Sequence, residues 1–236
     1  MNTQSSSPEN RVCLVPVIAM LPEVYSDTDC SFPEDWTADA YRHYWTARMA
    51  DAGIEGLKPV GLWHVPIEQL TTVQLLERIV HVNRFDDDTE LPGGTFDRFL
   101  DPEEHLIAFN GGYALFIDDC IVCTPRCCAD LANIEDWQMA ADYRQADRVM
   151  VWIGHPWIEV RYDGGCLLFI DPSELEGRPE WIGELSILPN ELQQAIDQAK
   201  REVQGLYRRL LPVLESKVPP AQADRIARIL TATDPD

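Results

Sequence analysis

Four cysteines fall within nine residues, Cys120, Cys123, Cys127 and Cys128 in the run CIVCTPRCC. Thiolates gathered this closely suit a tetrahedral zinc site, and C-x-x-C resembles one half of a zinc ribbon. Two features oppose that reading. A structural zinc site normally draws its ligands from two separated knuckles, and the adjacent pair Cys127-Cys128 is an awkward chelate. Cys120 and Cys123 also belong to a β-type run, where alternation sends them to opposite faces. A thioredoxin-type dithiol fits less well still, because its C-x-x-C opens a helix instead of closing a strand. The expectation is therefore buried free thiols packing as small hydrophobes, with no metal or other cofactor required. Zinc on Cys120, Cys123, Cys127 and Cys128 is the alternative.

Other chemistry-bearing residues are scattered. His155 in WIGHPW has the type for a base or ligand, yet it fits equally as a turn residue before Pro156. His43 and His64 have no partner at useful spacing. Asp118-Asp119 lies between β-type runs, where Asp serves ordinary turn geometry. No G-x-S-x-G, H-E-x-x-H, P-loop or G-x-G-x-x-G pattern is present, and no nucleophile is paired with a base. The chain reads as a non-enzyme, the alternative being a hydrolase or transferase built around His155.

The elements that must position these residues are short strands with tight turns, flanked by helices. Residues 105–171 contain HLIAF, YALFIDD, CIVCT, RVMVWIG, WIEVRY and CLLFID. Asn110-Gly111-Gly112, Asp118-Asp119 and Asp163-Gly164-Gly165 are turn signals between them, the first a strong hairpin signal. The connections are too short for parallel crossovers, so the sheet is antiparallel. The expected class is α+β: a meander of about five to six strands packed against flanking helices, with a long C-terminal helix.

Residues 1–10 read as a disordered tail, and 11–236 as a single domain. Val12 to Met20 is β-type, demoted by Pro16 to an edge strand or two short pieces. Thr37 caps a helix over 38–52 with Tyr41, Tyr44, Trp45 and Met49 on one face, and Gly53 stops it. The run GIEGLKPVGLWHVP reads as a connection. A second helix spans 72–82 behind Thr71 or Thr72, with Leu75, Leu76, Ile79 and Val80 as its stripe. A third covers 134–145, capped by Asn133. Residues 173–189 read as irregular. The C-terminal helices occupy 191–232, and Leu192, Ile196, Ala199, Val203, Leu206, Leu210 and Leu214 form a stripe at steps of three or four. Pro212 should bend or end that helix.

Charge narrows the class of partner. The 19 basic and 40 acidic residues give a formal charge of -21, which argues against a basic surface for nucleic acid and favours capture of a basic protein. Carboxylates concentrate at Asp27, Asp29, Glu34 and Asp35, and again at Asp86, Asp87, Asp88 and Glu90 beside a Pro-Gly-Gly turn. Both are expected partner-binding loops. Carboxylates laid out like phosphates, as in DNA mimicry, are a further possibility. Aromatic residues in or near the sheet region (Trp137, Trp152, Trp157, Trp181, Tyr113 and Tyr162) would anchor a partner wherever they surface. No apolar run is long enough to span a bilayer, the start lacks the pattern of a secretory signal, and seven cysteines without export suggest reduced thiols. A cytoplasmic monomer is the expectation.

The order of helices, acidic turn, NGGYALFIDD, strand meander and late helix resembles the SUKH superfamily and similar bacterial immunity proteins of polymorphic toxin systems. CTPRCCADLANIEDW and WIGHPWIEVRY also look like segments of such proteins, and the resemblance covers roughly residues 85–175. It implies an α+β protein that binds a cognate toxin, a basic nuclease type among the candidates, and neutralises it by occlusion without catalytic residues.

Overall fold

The computed structural model describes residues 11–20, 26, 37–54, 56, 63–82, 108–171 and 184–233. The fold is α+β. Among the described residues, β1 (Val12–Met20), β2 (Trp63–Pro66), β3 (Gly111–Ile117) and β4 (Cys120–Cys123) form a sheet ordered β2-β1-β3-β4. A second antiparallel sheet, β5-β6-β7-β8, uses Val149–Val151, Ile158–Asp163, Cys166–Ile170 and Glu184–Ile187. The helices are α1 (Ala38–Asp51), α2 (Thr72–Val82), α3 (Ile134–Asp142), α4 (Pro189–Glu215) and α5 (Pro220–Thr231). The single meander expected over 105–171 is thus two sheets, and β1, β2 and β8 lie outside that window. Both β2 and β8 are four residues long, too short for periodicity to reveal.

Two compact units divide the described chain. The first gathers the described part of Met1–Val15 with Tyr113–Ala129 and Asn133–Ala199; the second gathers Pro16–Gly112, Asp130–Ala132 and Lys200–Asp236.

In the first unit, β3 turns into β4 through Asp118 and Asp119, both at positive φ (49° and 63°), the backbone of a two-residue type I′ hairpin. Asp118 also donates its N–H to the Arg11 carbonyl at 3.1 Å, and its carboxylate accepts from the Arg11 N–H at 2.9 Å. Gly164 and Gly165 turn β6 into β7, as their spacing predicts. One face of the second sheet buries Val151, Ile158, Val160, Leu167, Phe169 and Ile187. Trp137 of α3 is fully buried, its ring centroid 5.9 Å from that of Phe169.

Helix α3 is shorter than expected. Asn133 has helical backbone and makes no side-chain cap bond. A 3-10 turn, Leu131–Asn133, comes first, begun by Asp130, whose carboxylate accepts from Ala132 N at 2.9 Å. Tyr143 turns extended and closes the helix, and Arg144 Nη1 donates to the carbonyls of Ala141 (2.6 Å) and Tyr143 (2.7 Å). That satisfies acceptors a helix end otherwise leaves bare.

In the second unit, Thr37 caps α1 by accepting from Ala40 N at 3.3 Å, and Tyr44, Trp45 and Met49 are buried. Thr71 and Gln74 form a capping box at the start of α2: Gln74 N donates to Thr71 Oγ1 (3.2 Å) and Thr71 N to Gln74 Oε1 (2.9 Å). All seven stripe residues of α4 are buried, Leu192, Ile196 and Ala199 in the first unit and Val203, Leu206, Leu210 and Leu214 in the second; the helix runs 27 residues and carries Pro212 in its last turn.

Two sequence expectations fail here for one reason, close backbone pairing around β1. Pro16 does not push β1 to an edge: the strand is continuous and interior. Ile67 N donates to the Pro16 carbonyl at 3.1 Å, but Pro16 has no N–H to return. The Ile67 carbonyl is satisfied instead by Arg209 Nη2 at 2.6 Å, while Arg209 Nη1 reaches the Leu70 carbonyl at 3.0 Å. Asn110-Gly111-Gly112 is likewise no hairpin turn, since both glycines belong to β3. A Cβ on Gly111 would lie 2.1 Å from the Val17 carbonyl oxygen, so only glycine lets the backbones approach this closely.

Candidate functional site

The site with the most built-in order lies in the first unit, where the chain leaves β4 as Thr124-Pro125-Arg126-Cys127-Cys128. This irregular segment is stitched to the loop between β5 and β6. Arg126 N donates to the Ile153 carbonyl at 2.6 Å, and His155 N to the Cys127 carbonyl at 3.0 Å. Between them, Gly154 adopts φ +99°, and a Cβ there would sit 2.3 Å from the Cys127 carbonyl oxygen. The glycine is required by the crossing.

Arg126 then locks the same loop from its side chain. Nη1 donates to the carbonyls of Pro156 (2.6 Å) and Trp157 (3.4 Å). Nη2 forms an ion pair with Asp171 at the end of β7, and Nη1 also reaches the other carboxylate oxygen at 3.4 Å. The two side chains are 10% and 12% exposed. A fork so placed satisfies two loop carbonyls and a carboxylate at once, which a lysine's single ammonium centre would not match.

The loop held in this way presents a run of rings. His155 is exposed and stacks edge-on against Trp152, with centroids 4.5 Å apart at 89°; Trp157 lies 6.0 Å from it at 70°. Trp157 is 37% exposed and Met150, on the edge strand β5, is 46% exposed. Trp152 N donates to Asp136 of α3 at 3.4 Å. A large amphipathic surface fixed by its own hydrogen bonds loses little entropy on contact with a partner. Cys127 Sγ donates to the backbone carbonyl of His155 at 3.4 Å, so the thiol addresses the main chain there.

The sequence-predicted residues distribute unevenly. Cys123 alone of its cluster is buried; Cys120, Cys127 and Cys128 are exposed free thiols. The expectation of buried thiols fails for these three because Cys120 follows the turn directly and the adjacent pair sits in irregular backbone, with Cys128 at φ 64°. Among the described residues, no three His, Cys, Asp or Glu side chains converge on a metal position. His43 is exposed on α1, and His64 is buried in β2. Both acidic groups, Asp27, Asp29, Glu34 and Asp35, then Asp86, Asp87, Asp88 and Glu90, lie outside the described residues, as do Trp181 and the expected disordered tail at 1–10.

Sequence reasoning missed Arg126 and Asp171, which stand 45 positions apart. The available signal was a lone arginine between a proline and two cysteines in an acid-rich chain. Elsewhere in this unit an open cleft of about 450 Å³ is lined in part by Arg144, Tyr162, Leu188, Asn190 and Gln193. There Arg144 stacks over Tyr162 at 5.3 Å. No helix among the described residues is long and apolar enough to cross a membrane. Comparisons with protein-family models, curated proteins and solved structures find no match.

Proposed function

We propose that this chain is a binding protein that neutralises a partner by occlusion, acting as an immunity protein against a cognate toxin domain. The carrying observation is the Trp157–His155–Trp152 ring run, exposed at Trp157 and His155 and fastened by the Arg126–Asp171 clasp. Tryptophans presented on fixed backbone are the usual anchors of protein interfaces. The charge of -21 favours a basic partner, a nuclease-type toxin among them, and would speed its capture. Within this reading the chain works as a plug, and the acidic residues at 86–90 steer the approach.

The test is to find whether a toxin-domain protein is encoded beside it and to co-express the two. A stoichiometric complex and protection of the host cell are expected, and Trp157→Ala should weaken the complex by roughly 30-fold, about 2 kcal/mol. Absence of both complex and protection rejects the reading; a complex indifferent to Trp157→Ala moves the interface elsewhere.

A further inference from the structure

We propose that Cys127 and Cys128 form a vicinal dithiol that is reversibly oxidised to a disulfide by small-molecule disulfides, and that this site adjusts the ring surface beside it. Both thiols are free and exposed, so a disulfide reagent can reach either. Being consecutive, they cannot be separated by any rearrangement of the fold. Strand alternation would normally point neighbouring side chains apart, but Cys128 sits in the left-handed region at φ 64°, which breaks that alternation.

The chemistry balances with one co-reactant. One thiolate attacks a sulfur of a glutathione-type disulfide, and one glutathione thiolate leaves. The second cysteine thiolate then attacks the mixed disulfide at the protein sulfur and expels the other glutathione. Two electrons pass from protein to reagent, and the two thiol protons go to the departed glutathiones.

Adjacent α-carbons across a trans peptide stand about 3.8 Å apart, short of the roughly 4.4–6.8 Å span an unstrained disulfide uses. The bond formed here is therefore easily reduced, as suits a regulatory disulfide better than a structural one. Its formation removes the Cys127 S–H that donates to the His155 carbonyl. His155 also pairs its N–H with Cys127 and carries its ring between Trp152 and Trp157. Oxidation is thereby transmitted to the aromatic surface. The site itself stands whether or not that surface binds a toxin.

The deciding experiment treats the full chain with oxidised glutathione under native conditions, blocks remaining thiols, and reads intact and peptide masses. Wild type should lose two hydrogens within the peptide holding both cysteines, carry no glutathione on that peptide, and recover with dithiothreitol. Tryptophan fluorescence should shift with the same time course. Cys127→Ser and Cys128→Ser should each keep one glutathione on the surviving thiol, while Cys120→Ser leaves the outcome at 127–128 unchanged. Phenylarsine oxide, which needs two neighbouring thiols, should bind reduced wild type one to one and either serine variant about 100-fold more weakly. A stable single glutathione adduct on Cys127 or Cys128 of wild type, or a disulfide from either residue to another cysteine, overturns the proposal. The wild-type measurement decides even where a variant fails to fold.

Discussion

Two arginine–aspartate clasps, one in each unit, do different work. In the first unit Arg126 and Asp171 are nearly buried and fasten irregular backbone. In the second, Arg228 of α5 bonds Asp224 at 2.9 Å one turn away, Tyr207 of α4 donates its hydroxyl to the same carboxylate, and Arg228 stacks over the Tyr207 ring at 5.3 Å. That pair is 24% and 41% exposed. The helices of the second unit are already fastened by Leu206, Leu210, Leu214, Ile226 and Leu230, all buried. Their clasp is an addition to an apolar seam. The loop at 153–157 buries only Ile153 of its side chains, and a desolvated ion pair with carbonyl bonds fastens the rest. Polar clasps become indispensable where apolar periodicity stops.

The contrast can be broken by removing one partner at a time. Asp171→Ala strands the Arg126 cation in a nearly dry position and should cost about 3 kcal/mol in urea unfolding. It should also raise amide exchange across 153–157. If the loss were no larger than at Asp224, the proposed difference between the clasps would collapse.

Asp224→Asn should cost less, and its effect should depend on pH. The Tyr207 hydroxyl bond, and then Arg228, hold the Asp224 carboxyl below its ordinary value of 3.8. A carboxyl depressed in the folded state contributes stability that is present above its unfolded value and is lost as pH falls through the folded one. The gap in urea midpoint between wild type and Asp224→Asn should therefore be narrower at about pH 3 than at about pH 6. A gap that stayed constant would assign the effect to packing.

The smallest change belongs to Arg11→Ala. Its ion pair with Asp119 spans 3.8 Å between side chains 74% and 88% exposed, and such pairs contribute about 0.5 kcal/mol or less. The backbone bonds between residues 11 and 118 survive the substitution, so an unchanged unfolding midpoint is expected.

Elements that could be read from sequence are those whose signal is local. The α4 stripe, the Thr37 cap, the Asp118-Asp119 turn and the Gly164-Gly165 turn depend on neighbours within a few residues. What escaped is set by distant partners. Pro16 looks like an edge residue until Arg209 supplies the missing donor, and Gly111-Gly112 looks like a turn until the β1 backbone lies against it. Residues β2 and β8 contribute have too few positions to show a period. The candidate site was half legible: the motif segments CTPRCC and WIGHPW stood out by composition, yet their pairing rests on Arg126 and Asp171, which no spacing rule joins.

The Arg209 contact also has a consequence for synthesis of the chain. Arg209 is 142 residues from Ile67, so the ribosome releases β1 and β2 long before it makes the side chain that completes their hydrogen bonding. Until α4 emerges, the carbonyls of Ile67 and Leu70 lack the guanidinium that satisfies them in the folded unit. Interior pairing that waits on a C-terminal helix is slow and exposed to misassembly. Completion of this pairing in the second unit thus waits on the synthesis of α4.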